Sequence, residues 1–102
     1  MLKTIKVYEE DKKVLREILN EYERQIALKH SGKFPYTCED FPGLSTSQKL
    51  TVLVEEVGEL ARAILNVNKL SHDETPDDAI EHLRIELVQV AAVTFSWLKG
   101  MK

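Results

Sequence analysis

Three glutamates within five residues are the first candidates for chemistry. In Glu55-Glu56-Val57-Gly58-Glu59 the carboxylates fall at i, i+1 and i+4. On a helix, Glu55 and Glu59 then stand one turn apart, and Glu56 neighbours Glu59. Like charges this close destabilise a helix unless cations or a metal offset them. Arg62, three residues past Glu59, offers partial relief. Taken alone, the pattern also fits the solvated face of a charged helix. Glu86 gives it more weight. Leu83, Val90, Val93 and Trp97 share its side of a helix, and a carboxylate in such surroundings is costly to ionise without a partner. One possible partner is an arginine or lysine across a helix interface. The other is an oxygen-rich metal site that Glu86 completes together with the glutamates of the 55–59 run. Gln89, three positions on, can ligate or orient through its carbonyl but carries no charge. Oxygen ligands on two facing helices suit Mg²⁺ or Mn²⁺ rather than zinc. Magnesium keeps waters and is commonly bound together with substrate phosphates. The chemistry implied is that of an enzyme handling phosphates.

Other reactive side chains are sparse. Lys29 and His30 could meet a phosphate or simply favour a helix C-terminus. His82 lies one turn before Glu86 and could bond to it, while His72 sits in a polar turn without an evident role. Phe34, Tyr36 and Phe41 fall in one loop. Their rings either anchor that loop or, as for Phe34, contact a planar ligand such as a nucleobase. Cys38 reads as an ordinary thiol.

These residues need helices to position them. Val14, Leu15, Ile18, Leu19, Tyr22 and Ile26 recur with helical spacing, predicting a first helix from about Glu9 to His30. Acids at 9–11 and Lys29-His30 suit its dipole, and Gly32 fits the position just past its end. Residues 31–47 hold two Pro and two Gly and read as a loop. Leu50, Leu53, Val54, Val57, Leu60, Ala61, Ile64 and Leu65 form an apolar stripe on a second helix, about Thr46 to Asn68. The three glutamates occupy one arc roughly opposite it, with Val52 and Ala63 among them. After a turn at 69–75, Thr75 can cap and Pro76 can open a third helix with Asp77 and Asp78 in its first turn. It runs to about Lys99 and stops at Gly100. Between Leu87 and Leu98 only Gln89, Thr94 and Ser96 are polar. Such a helix must be covered on several sides. The expected fold is an all-α antiparallel helical bundle, completed by dimerisation into a four-helix core.

The composition agrees. At 102 residues the chain is one domain, spanning 1–102. Lys and Arg number 14 against 17 Asp and Glu, a net charge of -3, which gives no electrostatic reason to bind nucleic acid or an anionic membrane. A hydrophobic share of 43% beside 30% charged is that of a globular protein. A single cysteine excludes an internal disulfide and a cysteine-based zinc cluster. The first residues lack the apolar run of a signal peptide and no stretch reaches membrane-span length, so a cytoplasmic location is expected.

The segment Lys49-Leu50-Thr51-Val52-Leu53-Val54-Glu55-Glu56-Val57-Gly58-Glu59-Leu60-Ala61-Arg62-Ala63-Ile64 resembles the EExxE helix of the MazG-type all-α nucleoside triphosphate pyrophosphohydrolases. In that family ExxD follows after a connecting segment. Here 26 residues separate Glu59 from Glu86, and Glu86-Leu87-Val88-Gln89-Val90-Ala91-Ala92-Val93 occupies the second motif. It is similar to a branch carrying ELxQVAAV and often ending in a tryptophan, here Trp97. Arg24-Gln25 and Lys29-His30-Ser31-Gly32 also resemble that branch, so the likeness covers roughly residues 20–98.

The resemblance implies that Glu55, Glu56, Glu59 and Glu86 hold Mg²⁺. It also implies that a nucleoside triphosphate is cut between its α and β phosphates, to a monophosphate and pyrophosphate, as in house-cleaning of nucleotide pools. A homodimer or homotetramer is implied as well. Gln89 departs from the pattern, since the family has Asp there, and weaker metal binding or a rearranged cluster follows. The alternative is a non-catalytic helical dimer that binds a nucleotide or a protein partner.

Overall fold

The computed structural model describes residues 8–31, 37–39, 43–68 and 76–101. They form three helices, α1 (Glu9–His30), α2 (Thr46–Asn68) and α3 (Pro76–Gly100), with no strand among the described residues. The expected all-α class and helix boundaries are met. Phe34, Tyr36, Phe41, Gly32, His72 and Thr75 lie outside the described residues.

Local chemistry accounts for the helix ends. At the start of α1 the Tyr8 N–H donates to Asp11 Oδ2 at 3.1 Å, and Glu9, Glu10 and Asp11 meet the positive end of the dipole. At its other end Ser31 closes the helix, its hydroxyl donating to the Leu28 carbonyl at 2.7 Å. The start of α2 is a reciprocal cap. Gln48 N–H donates to Ser45 Oγ at 3.1 Å while Ser45 N–H donates to Gln48 Oε1 at 2.8 Å. This is the capping box of a Ser-x-x-Gln sequence. In α3, Asp77 and Asp78 again occupy the first turn.

The third helix lies in the middle. It packs against α1 and against α2, and those two make no backbone contact with each other. Tyr22 of α1 meets Phe95 of α3 edge to face, with centroids 5.1 Å apart. Arg84 of α3 grips Glu17 of α1 at 2.6 and 2.8 Å. A third tie joins the loop to both helices. Tyr22 donates to Glu39 at 2.5 Å and accepts from Lys99 Nζ at 2.8 Å. The Glu39 backbone passes so close to Gly100 that a side chain there would collide with it.

Much of the apolar surface remains open. The covered face of α2 carries Lys49, Val52, Leu53, Glu56, Leu60 and Ala63. The stripe expected to form its core, Leu50, Val54, Val57, Ile64 and Leu65, is exposed. On α3 Ile80 and Leu87, seven residues apart, are exposed as well, as is Met101 just past its end. The radius of gyration is 16.0 Å, against about 13 Å for a compact chain of this length. None of the three helices is long and apolar enough to cross a membrane over the described residues.

Candidate metal centre

The packing of α2 on α3 brings together three of the glutamates singled out above. Glu56 and Glu59 from α2 and Glu86 from α3 each offer a carboxylate oxygen, and these oxygens lie within 4.8 Å of one another. The sequence dictates this locally. Glu56 shares the covered face of α2 with Val52 and Ala63, while Glu86 follows Ala79 and precedes Val93 on the covered face of α3. The small side chains Ala63 and Ala79 are both buried on these faces.

The centre is short of positive charge. Glu86 is only 8% exposed. Its Oε1 lies 3.2 Å from His82 Nε2, so the partner the structure gives it is a half-exposed histidine on its own helix. Glu86 Oε2 and Glu56 Oε2 are buried without a hydrogen-bond partner. Burial raises the Glu56 carboxyl above its ordinary value, and Glu59, Glu86 and Glu21 push it further, against the opposing pull of Arg24. Two orphaned buried oxygens among mutually repelling carboxylates are costly in a fold. A hard divalent cation would satisfy them, and an all-oxygen donor set fits Mg²⁺ or Mn²⁺.

A cleft of about 480 Å³ adjoins the trio. Val52, Glu55 and Glu56 of α2 form one wall, Arg24, Gln25 and Leu28 of α1 another, and Thr37, Cys38 and Leu44 of the loop a third, with Val93 of α3 also lining it. Glu55 is thus at the cleft, exposed and apart from the trio. Gln89 is half-buried one turn after Glu86. Lys29 is half-buried and His30 exposed in the last turn of α1, and neither lines the cleft. Phe34 lies outside the described residues. Cys38 is buried, and burial raises its thiol, with Lys49 pulling the other way. A thiol so placed is a poor nucleophile.

Sequence reasoning did not single out Glu21. From α1 it reaches Glu56 electrostatically. It accepts from Arg24 Nε through both carboxylate oxygens, at 2.7 and 2.8 Å. No signal in the chain marks this pair apart from any other i, i+3 pair on a charged helix. Thr37, Cys38 and Leu44 were equally invisible as cleft residues, because only the folded loop brings them to α1 and α2.

Comparison with protein-family models, with curated proteins and with solved structures finds no match for the chain.

Proposed function

We propose that the chain is a MazG-like, Mg²⁺-dependent nucleoside triphosphate pyrophosphohydrolase, active with Mn²⁺ as well, which releases a nucleoside monophosphate and pyrophosphate. The observation that carries this reading is the trio Glu56, Glu59 and Glu86 with two buried, unpartnered oxygens, one of its members, Glu56, lining a cleft. A structural bundle has little reason to keep such a group.

In this reading Glu56, Glu59 and Glu86 hold the metal. Bound there, Mg²⁺ supplies positive charge to the phosphate oxygens and lowers the pKa of a water. Glu55, at the cleft but outside the trio, is the carboxylate placed to accept a proton from the attacking water. Gln89 contributes an amide where a further acid would add charge. Leu28, Leu44 and Val93 give the cleft an apolar lining against which a nucleobase can lie while the phosphates face the carboxylates.

The working unit in this reading is a homodimer or homotetramer. A second copy covers the open stripes of α2 and α3 and completes a four-helix core. The reading places the enzyme in the cytoplasm, where a lone thiol stays reduced.

The test is product analysis. Purified protein with Mg²⁺ or Mn²⁺, given a panel of canonical and modified nucleoside triphosphates, should release pyrophosphate and a monophosphate from at least one. Orthophosphate with a diphosphate would mean that the wrong bond is cut. No turnover across the panel with either metal would favour a helical binding module.

A further inference from the structure

We propose that Arg24 grips the polyphosphate chain of the substrate, and that Glu21 holds it in reserve until that chain arrives. This rests on the hydrolase reading and adds to it a cationic half of the site. The trio and Glu55 are all acidic, and the substrate they serve is a polyanion. Metal charge alone must then offset both, unless a cation of the chain faces the terminal phosphates. Among the described residues that line the cleft, Arg24 is the only cation.

Its geometry suits that task. The Arg24 side chain is 55% exposed, whereas that of Glu21 is 11% exposed. The arginine therefore lies over its partner at the mouth of the site. It also lines a second cleft between α1 and α3, beside Glu17 and Arg84, so it stands where the two clefts meet. The bond to Glu21 runs through Nε to both carboxylate oxygens. A planar guanidinium meets two phosphate oxygens with the same fork-like geometry as a carboxylate. Glu21 engages one N–H of that guanidinium with both its oxygens, and a polyphosphate offers oxygens to the whole fork.

The exchange has a built-in condition. Once Arg24 leaves, the Glu21 carboxylate, only 11% exposed, loses the cation bonded to both its oxygens. A largely covered carboxylate stripped of its partner is costly unless positive charge enters the site with the polyphosphate. Arg24 should therefore transfer to phosphate when metal and polyphosphate arrive together, and stay on Glu21 when polyphosphate comes alone.

Calorimetric titration with pyrophosphate in Mg²⁺ tests this without turnover and without knowing the nucleobase. Arg24→Gln should weaken Mg²⁺–pyrophosphate binding by roughly 10- to 100-fold, the range for a charge-assisted bond to phosphate. Its binding of Mg²⁺ alone should be unchanged or tighter. Glu21→Gln should bind Mg²⁺–pyrophosphate at least as tightly as the wild type, because it removes the competing carboxylate. Both residues lie on one helix face, Arg24 exposed and Glu21 largely covered, and thermal melts check that each variant folds. A pair that merely staples α1 would make the two substitutions act alike. Equal losses in both variants, or no loss in Arg24→Gln, would overturn the assignment of Arg24 alone. A wild type that binds Mg²⁺ but no Mg²⁺–pyrophosphate would overturn the hydrolase reading together with it.

Discussion

Two adjacent residues of α3 reverse the usual order of hydropathy. Glu86 is 8% exposed and Leu87, its neighbour, is 51% exposed. The same inversion runs through α2, where Glu56 is half-buried and Val57 is open. At these positions both helices turn a carboxylate inward and an aliphatic side chain outward, beside covered Val52, Leu53, Ala92 and Val93. A chain selected only to fold alone would do the opposite, since each inversion costs desolvation on one side and unburied area on the other. The two costs have different remedies. A cation relieves the acidic side, and a second copy relieves the apolar side.

The largest effect should come from spoiling the apolar side. The wild type should scatter light as two or four chains of 11.7 kDa each at micromolar concentration. Val57→Glu combined with Leu87→Glu should shift that mass to one chain or leave the protein unfolded. A wild type that is a stable, folded monomer at that concentration would leave the exposed stripes unexplained.

A smaller effect is expected at the loop tie. Tyr22→Phe keeps the ring against Phe95 but removes the hydroxyl between Glu39 and Lys99. Urea unfolding should report a loss of about 1–2 kcal/mol. An unchanged midpoint and slope would mean that the loop is held by other contacts.

The smallest effect, and the one that sharpens the contrast most, is the pH response of Glu56. Its carboxyl is raised by burial and then by Glu59, Glu86 and Glu21. Between its ordinary and its raised value, the folded state keeps a proton that the unfolded chain has lost. Stability from this group therefore falls as pH rises through that interval. Glu56→Gln cannot ionise and escapes the loss. In metal-free buffer its stability relative to the wild type should improve as pH rises from about 4 upward. A gap that stays constant or shrinks would show that Glu56 is not strained by its surroundings.

The helices were legible because their signals are local. Spacing of Val14, Ile18 and Tyr22, acids at 9–11 and Pro76 with two aspartates each mark an end or a face within a few residues. The Ser45–Gln48 box was equally local, though periodicity alone had already placed the helix. What the stripe on α2 packs against was not legible. Periodicity says which face is apolar and is silent on what covers it, and α3 instead took the face that holds Glu56. For the same reason Glu55 and Glu56 are equivalent in the sequence, and only the position of α3 parts them. Glu86 stood out through its apolar neighbours. Glu21 and Arg24 did not, because Glu9 and Lys12 form an exposed pair at the same spacing, 3.2 Å apart, on the same helix. The loop residues of the cleft depend on the Tyr22–Glu39–Lys99 tie, a contact across most of the chain.

Thermal melts with and without Mg²⁺ test most directly whether Glu86 is a metal ligand. Wild-type protein should gain roughly 1–3 kcal/mol in saturating Mg²⁺, because the metal binds the folded trio and not the dispersed acids of the unfolded chain. Glu86→Gln removes one charge from the cluster and keeps its shape. Without metal it should be as stable as the wild type or about 1 kcal/mol more so, and with Mg²⁺ it should lose most of the gain. The contradicting result is a metal-free loss of about 3–5 kcal/mol, the cost of stranding a buried cation partner, with the response to Mg²⁺ intact.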